Sequence, residues 1–195
     1  MHEVRIVLNR HSRHVRRYLE QPFLLHKLLE SINPGHSRIL WRLMSGKVLI
    51  RSTSPLDWRG LDFRHADFGE RTHATFEPRK HDGDVFAINL LAYARKRPVT
   101  GPWKPKLPDE YLEWFQKQGD RYGFEVLEST VVRQNPYRVE TSSMPITILP
   151  AELMALVRIN HTDNFRLAFE EGIGRMRAFG CGLLLVRPMA ALSIQ

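Results

Sequence analysis

His26 is the residue with the best surroundings for acid–base chemistry. The spacing of apolar residues predicts a helix over 22–32, and the Asn33-Pro34-Gly35 sequence ends it. On this helix the leucines gather in one arc, and His26 falls outside it. Phe23 and Glu30, three residues before and four after, share its side of the helix. An imidazole beside a carboxylate suits proton transfer, although a lone outward histidine is more often simply solvated.

A second candidate site is the sequence GIGRMRAFGCGLLLV at 172–186. Four of the chain's 12 glycines lie between Gly172 and Gly182. One glycine would be enough to end the preceding helix and form a turn. Glycines also let a backbone approach a ligand closely, and their N–H groups together with Arg175 and Arg177 suit phosphate groups. The loop lacks the lysine of a P-loop and the third glycine of G-x-G-x-x-G, and a strand follows it, so a nucleotide cofactor site is not expected.

The charge of the chain favours a polyanionic partner. The net charge is +8 and the pI is about 10.0. Two segments concentrate the basic residues, RHSRHVRR at 10–17 and RKRPVTGPWKPK at 95–106, and the second has five Lys or Arg and no acid. Trp103 in the second segment could stack on a base or on its own loop. The candidate binding residues from these segments are Arg13, Arg16, Lys104 and Lys106.

Several functional classes are not expected from the composition. The 195 residues include one cysteine, so no intrachain disulfide can form, and a reducing, cytoplasmic location is expected. No apolar run approaches the roughly 20 residues that cross a bilayer. The sequence has no H-E-x-x-H and no G-x-S-x-G, and its nine histidines show no ligand spacing. We therefore expect neither a metal nor a small-molecule cofactor, and no membrane partner.

The order of predicted elements repeats once along the chain. Each half is expected to be a ferredoxin-like βαββαβ module, giving an α+β fold with two tandem modules, 1–80 and 81–195. The second helix of the first module is weak or missing. The predicted strands are 2–9, 37–43, 47–53, 72–77, 85–93, 125–133, extended segments within 146–159, and 182–186, and the predicted helices are 22–32, 108–122 and 161–171.

These features together resemble the CRISPR repeat-processing endoribonucleases of the type I-E Cascade complex, the CasE group. The resemblance lies in the first strand followed by RHVRRYLEQPFLLHKLL, in the duplicated layout, and in GIGRMRAFGCGLLLV, which is similar to the family's GIGxxKxxGxGLL. It implies metal-independent cleavage of precursor RNA at the 3′ base of the repeat hairpin. The 2′-OH attacks the neighbouring phosphate and leaves a 2′,3′-cyclic phosphate. The enzyme then stays on the hairpin as a subunit of the surveillance complex.

The resemblance also assigns roles to particular residues. The family's histidine on this helix matches His26, and Arg158 lies in a region that the family uses for RNA, so it joins Arg175 and Arg177 as a candidate. Several members carry a tyrosine where this chain has Phe23, which cannot donate a proton. Either His26 does more of the work, or another group such as Lys27 or a loop arginine assists. The alternative is an RNA-hairpin-binding subunit without catalysis.

Overall fold

The computed structural model describes residues 1–60, 68–75, 81–96, 98, 100, 102, 104–139 and 145–189. The first half contains β1 (His2–Leu8), α1 (Arg13–Glu20), α2 (Pro22–Ser31), β2 (Ile39–Met44), β3 (Lys47–Ser52) and β4 (Phe68–Thr75). The second half contains β5 (Val85–Ala92), β6 (Arg95–Lys96), β7 (Lys104–Pro105), α3 (Pro108–Tyr122), β8 (Phe124–Gln134), β9 (Tyr137–Val139), β10 (Ile146–Ile148), β11 (Ala151–Ile159), α4 (Thr162–Glu171) and β12 (Leu184–Pro188).

Both halves have the same sheet topology. The first sheet has the order β2-β3-β1-β4 and the second β12-β5-β11-β8, with antiparallel pairing throughout. When only the four strands of a sheet are numbered along the chain, both sheets have the order fourth, first, third, second from one edge. This is the ferredoxin-like order. The predicted tandem fold is therefore confirmed. The division at residue 80 stays a prediction, because residues 76–80 lie outside the described part of the chain.

The helix between the first two strands differs from the prediction. The basic segment after β1 forms a separate helix, α1, which Ser12 caps by accepting hydrogen bonds from the backbone N–H of His14 and Val15 at 3.1 and 3.3 Å. Between β3 and β4 the described residues include a single 3-10 turn, Trp58–Gly60. Residues 61–67 lie outside the description, so the reduced second helix stays a prediction.

Each sheet buries one face under its own helices. In the first half, Val4, Ile6 and Trp41 pack against Leu25 and Leu29 of α2. The second core is larger and rich in aromatic rings; Phe115 and Phe124 lie 5.4 Å apart between centroids, as do Phe165 and Phe169. The alternation of buried positions in β1, β5 and β11 is the one that the sequence predicts.

The opposite faces of the two sheets meet through a network of charged side chains. Arg42 on β2, with a side chain only 6% exposed, contacts Glu152 Oε1 on β11 at 2.7 Å. Arg42 also donates to Asn89 Oδ1, and Asn89 Nδ2 donates to Glu152 Oε1 at 3.0 Å. Beside this network Arg51 donates to the backbone carbonyl of Leu184 at 2.8 Å. The two halves are therefore joined by specific polar contacts, which fix the position of the elements that form the candidate site.

Candidate nucleic-acid interface and cleavage site

His26 is closely held within the structure. Its Nε2 lies 3.0 Å from Glu30 Oε1, one turn further along α2. Because an ionised carboxylate only accepts, the proton of a neutral imidazole is assigned to Nε2. The Nδ1 atom is buried and has no hydrogen-bond partner among the described residues. Phe23 and Glu30 flank His26 outside the leucine arc, as the spacing predicts, and its side chain is only 15% exposed because the glycine-rich loop lies beside α2.

Phe23 connects this helix to the glycine-rich loop. Its ring stacks on that of Phe179 at 5.9 Å between centroids, with an interplanar angle of 29°. Lys27 Nζ lies 4.9 Å from the centroid of the same ring. Phe23 thus anchors the loop against the first half of the chain.

A cleft of about 750 Å³ opens beside His26. The helix contributes His26, Lys27 and Glu30 to its wall, and the turn after the helix contributes His36 and Arg38. The loop of the second half closes it with Arg177 and Ala178. Two histidines, three cations and one carboxylate among the described residues therefore line this cleft. The sequence carried no signal for His36 or Arg38.

The glycines of the loop have structural reasons of their own. Gly180 has φ 81°, and a Cβ there would lie 2.9 Å from the ring of the buried Trp41. Gly174 has φ 96° and lies beside Trp114. The loop backbone is fixed to the end of β5, since the N–H of Arg175 donates to Tyr93 O at 3.1 Å and that of Gly182 to Leu91 O at 2.8 Å. Close packing explains the glycines better than ligand approach does, while the arginines remain candidates for phosphate contact.

Arg177 holds the end of α4 by a hydrogen bond and also lines the cleft. Its Nη2 donates to the carbonyl of Gly172 at 2.9 Å, where α4 ends. Burial, together with the neighbouring charge of Arg38, lowers the pKa of the Arg177 guanidinium from its ordinary value. A cation held in this way is already oriented, and it gains from an anionic ligand that offsets its desolvation.

Gly174 of the glycine-rich loop lines a second, basic pocket. It has a volume of about 210 Å³ and Trp114 in its wall, and the described residues that line it include no carboxylate. Its cations are Arg95, Arg121, Arg175 and Arg177. Arg121 was missed from the sequence because a basic residue in the last turn of a helix is expected for the helix dipole alone.

The other predicted binding residues lie at different places. Arg158 pairs with Glu125 at 2.8 Å and lies at the far end of β11, seven residues or about 23 Å from the end that faces the loop. The structure therefore does not bring Arg158 together with Arg175 and Arg177. Lys104 is exposed on β7, and Lys106 follows it with its N–H bonded to Ala94 O.

Arg13 and Arg16 are exposed on α1. Trp103 lies outside the described residues. Within the described ranges, no group of three or more His, Cys, Asp or Glu side chains is placed to hold a metal ion. None of the helices in that part of the chain has the length and apolar character needed to cross a membrane.

Two ferredoxin-like modules, with a histidine cleft between a helix of the first and a glycine-rich loop of the second, define a class of tandem-module protein. Within that class the chain belongs to the CRISPR associated protein family, whose model matches residues 1–188. The family membership expected from the three sequence features is therefore confirmed.

Individual relatives agree with this placement. The chain is 26% identical over 211 residues to the CRISPR-associated endoribonuclease Cse3 of Thermus thermophilus, covering 94% of this chain and 98% of Cse3. The structure of Thermus thermophilus Cse3 bound to an RNA representing a pre-cleavage complex matches with a TM-score of 0.83 at 25% identity, over 96% of this chain and 98% of that one. Cas6e of Escherichia coli K-12 shares the fold, with a TM-score of 0.74 at 16% identity, over 97% of this chain and all of Cas6e.

Proposed function

We propose that this protein is a metal-independent endoribonuclease that binds the repeat hairpin of CRISPR precursor RNA and cuts at its 3′ base. The observation that carries the proposal is the His26–Glu30 pair in a cleft walled by Lys27, Arg38 and Arg177. Support comes from Cse3, which is named an endoribonuclease and has been solved with RNA. After cleavage the protein keeps the hairpin and acts as a subunit of Cascade in the cytoplasm.

The proposed reaction needs two proton transfers and stabilisation of negative charge. The O2′ atom forms a bond to phosphorus and loses its proton, while the P–O5′ bond breaks and O5′ gains a proton. His26 takes part in proton transfer. Lys27, Arg38 and Arg177 stabilise the charge that develops on the phosphorane oxygens. The products are a 2′,3′-cyclic phosphate and a 5′-OH.

RNA binding is assigned to the basic surface around the loop. The arginine pocket beside Gly174 offers Arg95, Arg121 and Arg175 to backbone phosphates. Exposed cations on α1 and β7, together with the half-buried Lys106 that follows β7, extend the positive field; the exposed ones are Arg13, Arg16 and Lys104. Arg158 lies far from the cleft and is paired with Glu125, so any contact that it makes with RNA is outside the cleft.

The catalytic assignment is tested by His26→Ala in single-turnover cleavage of a labelled repeat RNA, with EDTA present. We expect the rate to fall by about 10²- to 10⁴-fold, the usual contribution of a general acid or base. His81→Ala is the matched control, since His81 is exposed and lies far along the chain from the cleft. Cleavage by His26→Ala at the wild-type rate would remove His26 from the mechanism.

The binding assignment is tested with an RNA whose attacking 2′-OH is replaced by hydrogen. Arg175→Ala should weaken binding and reduce the slope of log K against log salt by about 1, as expected for one lost phosphate contact. Lys117→Ala removes an equally exposed cation from α3 outside the pocket and serves as the control. Equal slopes for Arg175→Ala and the wild type would exclude Arg175 from the RNA interface.

A hairpin-binding subunit without catalysis is the second candidate function. Phe23 favours it, because phenylalanine has no proton to donate. Tight binding of the repeat hairpin by the wild-type protein, with no cyclic phosphate formed in prolonged incubation, would select this alternative.

A further inference from the structure

A second histidine lies in the same cleft as His26. The turn between α2 and β2 places His36 in the cleft wall, with Arg38 beside it. His36 is exposed, so an incoming substrate can reach its ring. It is also far enough from His26 in sequence that no helical or strand spacing relates the two. The structure alone brings them to one site.

The turn that carries His36 is held by buried polar contacts. Asn33, 5% exposed, donates from Nδ2 to the carbonyl of Ser37 and accepts at Oδ1 from Ser37 Oγ at 2.9 Å. The backbone N–H of His36 donates to Asn33 O at 3.1 Å. These bonds close the turn on both sides of His36, so its Cα position is set before any ligand binds.

His36 also has an unusual backbone conformation. Its φ is 46°, and Met176 is the other non-glycine residue with positive φ in the described part of the chain. Side chains with a Cβ rarely adopt this region, and such residues cluster at functional sites. The neighbouring Gly35 would adopt the conformation without cost, yet the turn gives it to the histidine that lines the cleft.

The proposed reaction requires a second group that exchanges a proton near neutral pH. Phe23 has no such proton. Lysine and arginine side chains, which are the other basic groups in the described wall of the cleft, hold their protons near neutral pH and serve as charges. Imidazole is the side chain suited to the task. Among the described residues that line the cleft, His26 and His36 are the two imidazoles.

We propose that His36 is the second proton-transfer group of this site. This inference rests on the proposed cleavage reaction. One imidazole accepts the proton of the 2′-OH as O2′ bonds to phosphorus, and the other donates a proton to O5′ as the P–O5′ bond breaks. Each imidazole has then changed its protonation state by one, and proton exchange with water restores both. No metal or further reactant is needed.

The experiment compares His36→Asn with the wild type in single-turnover cleavage of two repeat RNAs. Asparagine is chosen because it tolerates positive φ, which preserves the turn. One RNA has the normal O5′ leaving atom, and the other has a 5′-bridging sulfur, which leaves as a thiolate without being protonated. His26→Ala is measured on both RNAs, and His81→Asn is the control for a histidine exchange outside the cleft.

On the oxygen RNA we expect His36→Asn to lower the rate by about 10²-fold or more, with an unchanged circular dichroism spectrum. The sulfur leaving atom needs no proton, so a variant that lacks only the proton donor should cleave the sulfur RNA at a rate within about tenfold of the wild-type rate. We expect this recovery for one of the two cleft variants, and it identifies the residue that donates the proton. A wild-type rate for His36→Asn on the oxygen RNA would overturn the inference, and so would failure of both variants to recover on sulfur. If wild-type protein cleaves neither RNA, the proposed function itself has failed.

Discussion

Removing Arg42 should destabilise the whole protein, because it lies at the centre of the contact between the two sheets. Its side chain is 6% exposed and that of Glu152 is 13% exposed, with 2.7 Å between Nη2 and Oε1. Arg42→Met keeps most of the apolar stem and removes the charge. Glu152 would then remain at the interface with one of its cationic partners gone.

The size of the effect follows from what remains around Glu152. Breaking a buried ion pair by removing one partner costs about 3–5 kcal/mol. Here Arg133 Nε stays 2.6 Å from Glu152 Oε2 with a side chain 64% exposed, and Asn89 still donates to Oε1. These retained contacts reduce the expected loss in free energy of unfolding to about 2–3 kcal/mol.

Urea unfolding followed by circular dichroism measures this loss. Arg133→Ala is the matched control and should cost less than about 1 kcal/mol, since the exposed Arg133 side chain is screened by solvent. The double variant Arg42→Met/Glu152→Gln should recover part of the loss, because it no longer leaves a charge without its main partner. A change below about 0.5 kcal/mol for Arg42→Met would refute the view that this network holds the halves together.

Three further predictions concern other parts of the molecule. Gly180→Ala should lower the free energy of unfolding by about 1–3 kcal/mol in urea, because its Cβ would lie 2.9 Å from buried Trp41 at φ 81°. Burial acts to raise the pKa of Glu152, but Asn89 and the adjoining arginines outweigh burial and lower it below the ordinary 4.5. Its stabilisation is thus complete above pH 4.5 and is lost as pH falls through the folded pKa; in urea titrations against pH, Glu152→Gln should flatten this dependence. Burial raises the pKa of the Cys181 thiol to about 12, so a disulfide reagent at pH 8 should label it only after unfolding.

The elements that the sequence predicts well have clear chemical signals at their ends. The predicted bounds of α3, Pro108–Tyr122, agree with the structure. Proline fits the first turn of a helix, and Gly123 adopts φ 67° after its last residue. β5 and β11 alternate more and less buried positions along their whole length, as the sequence pattern predicts, whereas β2 and β3 are buried on both faces because the second half covers their other side. Local signals of this kind were sufficient to predict the tandem fold.

The helix α1 had no comparable signal. It has eight residues, with Val15 as its buried side chain. Val15, Tyr18 and Leu19 do have helical spacing and pack toward the first core, but three apolar positions within eight residues form a short pattern, and the basic residues indicated a solvated segment instead. Ser12 is a suitable N-cap, but a serine before a largely polar run is too common to predict a helix by itself.

The composition of the cleft could not be predicted, because periodicity shows which face of an element is apolar and says nothing about what covers its polar face. His26 lies outside the leucine arc as predicted, yet a loop about 150 residues later in the chain covers it. Arg158 and Arg175 are close in sequence, but β11 and α4 run in opposite directions along the sheet and separate them. The distance between two such residues depends on the order and direction of the elements that carry them, which local sequence patterns do not show.

The cleft exists only because the two halves are docked. His26, Lys27 and Glu30 come from the first half, whereas Arg177 comes from the second. Phe23 stacks on Phe179 at this seam, and the Arg42 network joins the sheets behind it. The ring of Phe23 holds the loop in place but has no hydroxyl that could donate a proton. The proposed cleavage therefore needs a second proton-transfer group from the cleft, and His36 is the residue that we propose for it.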